Sequence, residues 1–202
     1  MATRAATAED GTMTTADETR PGRPLRADAR RNRERVLAAA RETFAESGPD
    51  ASLNEIARRA GVGPGTLYRH FPTRQALLAA VLADRVERLC AYADRLIASE
   101  PPEVALSGWL HAFLEHATGD HGLGGAALTK PPGVDFDCHT AIREAVGRVL
   151  AGAQRAGAAR ADVTAADLLQ LVVGVALATE EAAHDPGQPG RLLALVEDAL
   201  RP

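Results

Sequence analysis

Aromatic residues make up only 3% of the 202 residues, cysteine occurs twice, and Lys130 is the sole lysine. A chain that is 46% hydrophobic but this poor in Phe, Tyr and Trp must build its core from Ala, Leu and Val. In suitable patterns that composition favours helices. Cys90 and Cys138 are too few for a disulfide framework or a zinc knuckle, so no metal is expected and a reducing cytoplasm is the expected compartment. No stretch approaches the ~20 apolar residues of a membrane span. The longest, Leu168 to Ala178, is interrupted by Gln170. The N-terminus lacks the apolar segment of a secretory signal. A Walker loop, a dinucleotide fingerprint, a nucleophile elbow and an H-E-x-x-H zinc motif are all missing. With no catalytic constellation and no cofactor motif, an enzyme is the least favoured class.

Charge is unevenly spread. The net charge of −4 divides into +6 between Arg20 and Arg74, from twelve arginines against six acids, and −10 elsewhere. A basic front on an acidic body is the footprint of a nucleic-acid-facing unit attached to a self-repelling one.

Within the basic part, residues 52–71 read SLNEIARRAGVGPGTLYRHF. Ser52 and Glu55 form an S-x-x-E capping box that starts a helix. Leu53, Ile56, Ala57 and Ala60 give that helix its apolar stripe. Gly61 supplies a turn, and Val62 plugs the space between two helices. Gly63 and Pro64 suit the start of a second helix, where a missing N–H costs nothing. Leu67 and Phe71 face the core four residues apart. At about 100° per residue, Gly65 and Arg69 point away from Leu67, with Thr66 and Tyr68 on the flanks. Two short packed helices with one exposed face carrying a cation, a hydroxyl and a phenol suit the major groove of DNA.

The stretch from about Ala29 to Leu89 resembles the DNA-binding region of the tetracycline-repressor (TetR) family of bacterial transcriptional regulators, most specifically in AGVGPGTLYRHFPTRQALL. The resemblance implies a homodimer on a palindromic double-stranded operator, released by a small inducer held in a helical C-terminal domain. It implies that Tyr68, His70 and Arg74 hold phosphates, that Thr66 lies at the groove, and that Ser52 touches the backbone. The family usually has serine where Gly63 stands and often a long polar residue where Pro64 stands. With Gly63, Pro64 and Gly65 offering no side-chain hydrogen bond, base reading falls to Arg69 and Thr66, with Pro64 against a thymine methyl.

The expected fold is all-α: an N-terminal three-helix DNA-binding domain and a C-terminal helical ligand-binding and dimerisation domain. Residues 1–28 are expected to form a disordered basic arm, 29–75 the helix-turn-helix domain, and 76–202 the second domain. In the arm, Arg20, Arg23 and Arg26 are spaced for a minor groove, or merely add diffuse attraction. Helices are expected over Ala29–Ser47, Arg74–Ala98, Glu103–Thr118, His139–Gly157, Thr164–His184 and Arg191–Leu200, with a loop over Gly119–Asp137. The all-round apolar centre of Thr164–His184 predicts burial on several sides, by dimerisation through the last two helices.

Trp109, Phe113 and His116 are the candidate ligand contacts, since His116 stands at the edge of an apolar stripe that also carries both rings. Plain core packing is the competing reading for each of them. Asp135, Asp137, Cys138 and His139 cluster, but they read better as the acidic start of a helix than as a metal site. A ligand-responsive repressor is the leading expectation. The alternative is a DNA-binding regulator of the same fold without a small-molecule inducer.

Overall fold

The structure, a computed structural model, describes residues 23–118, 137–180 and 185–202. Among them are eight helices and no strand: α1 (Arg23–Ser47), α2 (Leu53–Arg59), α3 (Pro64–His70), α4 (Arg74–Ser99), α5 (Pro102–Thr118), α6 (Cys138–Arg155), α7 (Ala165–Glu180) and α8 (Gln188–Ala199). The first helix starts six residues before the expected Ala29, which takes Arg23 to Asp28 out of the arm. Pro24 stands in its first turn, where proline is tolerated, and nothing downstream breaks the run. The rest of the arm with Arg20, and most of the expected loop with Asp135, lie outside the described residues.

Local chemistry sets the helix ends. Gly48 ends α1 at φ 73°, a conformation that side-chain-bearing residues rarely adopt, and its N–H donates to Phe44 O at 2.9 Å. Gly61 makes the turn between α2 and α3 at φ 62°, which lets the Val62 N–H donate to Ala57 O at 3.0 Å. Thr73 caps α4 by accepting from Ala76 N at 3.0 Å. Asp137 caps α6, accepting from Thr140 N at 3.1 Å and from its hydroxyl at 2.9 Å. The box at α7 is complete, with Thr164 N donating to Asp167 at 2.9 Å and Asp167 N donating to Thr164 Oγ1 at 3.2 Å.

Two clusters of buried side chains share α4. The first unites Val36, Leu37, Ala40 and Phe44 of α1 with Ile56 of α2, Leu67, Phe71, and Leu77 and Val81 of α4. The second gathers Leu89, Ala93 and Leu96 of α4 with Trp109 and Leu110 of α5, Val146 and Val149 of α6, Leu168 and Val172 of α7, and Leu193 of α8. One long amphipathic helix with apolar residues on a wide stripe can serve both, because the stripe continues past the end of the first cluster.

The apolar centre of α7 has two fates. Leu168, Val172 and Ala176 are buried within the chain, while Leu171, Val173 and Leu177 stay exposed at 49%, 37% and 62%. Leu195 of α8 is 64% exposed. A groove of ≈ 640 Å³ lined by Leu171, Gly174, Val175, Ala178 and Leu192 runs along this uncovered face.

Candidate nucleic-acid interface and ligand cleft

The recognition helix is α3, seven residues long and anchored by a fully buried Leu67, with Phe71 3% exposed just beyond it. Gly63 caps it without a side-chain bond, and Pro64 opens it. Nothing lies within 4 Å of where a Cβ on Gly63 or Gly65 would stand, so the front of α3 is an open, flat approach. Tyr68 is 46% exposed. Arg69 is exposed, and Thr66 and His70 are half-buried on the flanks. The helical spacing therefore places these side chains on the faces read from the sequence.

Ser52 caps α2 by accepting from Glu55 N at 3.5 Å, a long bond. The expected reciprocal bond is not made, because Glu55 is held elsewhere. Its carboxylate receives Arg58 at 2.6 and 2.8 Å and Arg59 at 2.9 Å. Those hydrogen bonds, Arg58 first, hold its carboxyl down to about 2. Arg59 also pairs with Glu46 at 2.7 Å. Both cations of α2 are thus paired within the protein, whereas Arg69 makes no ion pair among the described residues.

Arg74 has an additional role that spacing alone could not signal. Its Nη1 donates to Pro49 O at 2.8 Å and Ala51 O at 2.5 Å, across more than twenty residues of sequence. The side chain expected on a phosphate also ties the start of α4 to the turn that carries Ser52. Arg33 of α1, which the sequence did not single out, stacks over the Phe71 ring at 5.5 Å and braces the end of α3.

Trp109, Phe113 and His116 do come together. Trp109 and Phe113 stack at 5.3 Å with 14° between planes, and Phe113 and His116 follow at 6.1 Å. Of the three, His116 lines a cleft formed by described residues. Trp109 is fully buried and Phe113 is 5% exposed, both behind its wall in the core. The cleft, ≈ 250 Å³, lies between α4 (Arg85, Arg88, Leu89, Tyr92) and α5 (Ala112, Glu115, His116). His116 is buried rather than half-exposed at a helix border, and its Nδ1 has no hydrogen-bond partner among the described residues. Burial, and then the charge of Arg85, push its pKa from the ordinary 6.5 down to about 4. The imidazole is neutral at pH 7, with a polar atom left to satisfy.

Around this cleft the two parts of the chain are joined. Arg85 Nη2 donates to Glu115 O at 3.4 Å and His116 O at 3.3 Å, at the end of α5. The preceding residue, Asp84, accepts from Arg41 of α1. Arg88 shares that carboxylate at 3.4 Å. Burial first, then repulsion from Arg41 and Arg85, lower the pKa of Arg88.

Among the described residues, no group of three or more His, Cys, Asp or Glu is arranged to hold a metal ion. No helix among them is long and apolar enough to cross a membrane.

Residues 36–81 match the profile of the bacterial regulatory proteins of the tetR family. Residues 101–202 match that of the C-terminal domain of SbtR-like transcriptional regulators. A crystal structure of a TetR transcriptional regulator from Streptomyces coelicolor is 40% identical, aligns over 84% of this chain and 98% of its own, and has a TM-score of 0.70. A TetR transcription regulatory protein from Mycobacterium vanbaalenii is 41% identical, over 89% and 100%, with a TM-score of 0.69. The helix-turn-helix regulator TtgW of Pseudomonas putida is 47% identical over 64 residues, 31% of this chain and 48% of that protein. The chain spans less than half the length of the curated relatives it matches, and the likeness to them lies in about 70 residues or fewer.

Proposed function

The chain belongs to the TetR family of bacterial transcriptional regulators, and we propose that it acts as a homodimeric repressor released from a palindromic operator by a small molecule. The observation that carries the DNA-binding half of this reading is the face of α3. Leu67 and Phe71 bury one side, and Tyr68 and an exposed Arg69 stand on the other, beside the bare Gly63 and Gly65. A short helix without bulk at its front can approach the major groove closely. Arg69 would then question base edges, while Tyr68, His70, Thr66, Ser52 and Arg74 hold or flank the backbone.

Dimerisation is assigned to α7 and α8. Leu171, Leu177 and Leu195 are large apolar side chains left exposed on these helices, beside a groove lined by Leu171, Val175 and Leu192, and two helices per subunit make a four-helix bundle about a two-fold axis. Two subunits would then present two copies of α3 to successive major grooves.

Ligand response is assigned to the cleft beneath His116. A ligand there touches α4 and α5 together. Asp84 and Arg85, adjacent on α4, tie the end of α5 to Arg41 of α1. Any shift of α4 against α5 is thereby felt in the DNA-binding part, and release follows if the two-subunit spacing of α3 changes.

The test is selection of duplexes from a random pool, followed by anisotropy titration of the selected site with and without a small-molecule library. A palindromic site bound by two chains, and loss of binding on adding a compound, are expected. Binding without sequence preference overturns the operator assignment. Sequence-specific binding that no compound alters favours a regulator without an inducer.

A further inference from the structure

The cleft between α4 and α5 has a chemical bias that the ligand-responsive reading leaves unspecified, and the inference below rests on that reading. Its inner wall is apolar, made by Leu89, Ala112 and the ring of Tyr92, and it ends at His116. His116 is 9% exposed, lines the cleft, and its Nδ1 has no partner among the described residues. A buried polar atom without a partner is costly; this nitrogen is sealed from solvent, so a ligand relieves that cost once the ring turns it towards the cleft.

The mouth holds a loosely paired cation. Arg88 lines the cleft, and its nearest carboxylate, that of Asp84, stands at 3.4 Å and is already engaged by Arg41 at 2.5 Å. Two guanidinium groups thus share one carboxylate, while Arg85 bonds the carbonyls at the end of α5. Among the described residues that line the cleft the one acid is Glu115, exposed at its outer side. A neutral ligand leaves this crowding as it is, and a cationic one worsens it. An anion is drawn to Arg88 and pairs with a guanidinium that Asp84 holds only loosely.

We propose that the cleft binds a small organic carboxylate, its apolar body on Leu89, Ala112 and Tyr92 and its carboxylate reaching Arg88 and His116. A cleft of ≈ 250 Å³ limits the ligand to about the size of one substituted six-membered ring. Its charge would compete with Asp84 for Arg88, at the residue that also holds Arg41 of α1.

Three probes of matched shape test this on the full chain: cyclohexanecarboxylate, cyclohexanecarboxamide and cyclohexylmethylamine, titrated by calorimetry and by Trp109 emission. The carboxylate should bind about ten-fold tighter than the amide, the equivalent of one charge-assisted hydrogen bond. Arg88→Gln should bring the carboxylate to the level of the amide, Arg88→Lys should keep most of the preference, and His116→Phe should weaken the carboxylate in its own right. Circular dichroism and light scattering on each variant confirm an unchanged fold and size. Amide or amine binding as tight as the carboxylate, a preference that survives Arg88→Gln, or no binding by any probe overturns the carboxylate assignment. A carboxylate that binds with these preferences but leaves operator affinity unchanged sustains the anion site and defeats the ligand-responsive reading instead.

Discussion

Arg41 of α1 and Asp84 of α4 meet with Nη1 and Oδ2 2.5 Å apart, each about 30% exposed. They lie 43 residues apart in sequence, so this bond belongs to the tertiary structure alone. A partly buried pair of this kind contributes about 1 kcal/mol, more than an exposed one. Asp84→Asn should lower stability by about that amount in urea unfolding. Its larger expected effect is on communication, since it removes the ion pair between α1 and the part of α4 that leads to the cleft. Any ligand that weakens operator binding should do so several-fold less in the variant. An undiminished ligand effect in anisotropy titrations would mean that coupling bypasses the bridge.

Arg74 can be separated into two roles. Its Nη1 bonds both Pro49 O and Ala51 O, and charge-assisted bonds of this type are worth about 1.5–3 kcal/mol. Arg74→Ala should therefore cost about 2 kcal/mol of stability and loosen hydrogen exchange from Gly48 to Ser52, besides weakening DNA binding. Arg74→Lys keeps a phosphate-seeking charge but loses the planar fork, so it should restore affinity better than stability. An Ala variant of wild-type stability would confine Arg74 to the DNA.

Readout at the operator should divide by residue. Arg69→Ala should relax preference at one base pair per half-site, by roughly 1–3 kcal/mol, whereas Tyr68→Phe and His70→Ala should weaken all sequences alike. With on the order of 4–8 ionic contacts per dimer, log K against log salt should slope at about −4 to −7. Unchanged binding-site logos for Arg69→Ala, or a flat salt dependence, would remove these assignments.

The dimer face can be probed without disturbing the core. Val172 is fully buried inside the chain, so a charge there unfolds the subunit and says nothing about association. Leu177 and Leu195 are 62% and 64% exposed. Leu177→Glu and Leu195→Glu should give folded monomers with normal circular dichroism. Wild-type-size dimers from both in light scattering would place the interface elsewhere.

His116 should make stability pH-dependent in one direction. Its folded pKa of about 4 lies below the ordinary 6.5. Between those values the unfolded chain binds the extra proton, so stability falls as pH drops from 7 towards 4. The loss attributable to this group reaches about 3 kcal/mol once both states are protonated. His116→Phe keeps the aromatic stack and should remove that part of the slope. Parallel pH profiles of the variant and wild type would place the burial penalty on other groups.

Periodicity and end signals made most of the helices legible: Leu67 and Phe71 buried, Arg69 and Tyr68 outward, Thr73, Asp137 and Thr164 at helix starts. These depend on neighbours three or four residues away, which a sequence displays directly. The early start of α1 was missed because Pro24 and Arg26 look like a loop unless a helix is already there to absorb proline in its first turn. The aromatic trio was seen as a set, but its division into Trp109 and Phe113 inside and His116 at the cleft depends on where α4 lies against α5.

Sequence alone determined the family-like block, the basic front and the all-helical fold, since each is written in residue type and local spacing. Tertiary structure decided which charges are spent. It turned Arg58 and Arg59 onto Glu55, Arg74 onto two backbone carbonyls, and Arg41 onto Asp84. It also left His116 with an unsatisfied nitrogen. Several of these pairings span tens of residues, and a chain reveals them only once its helices have packed.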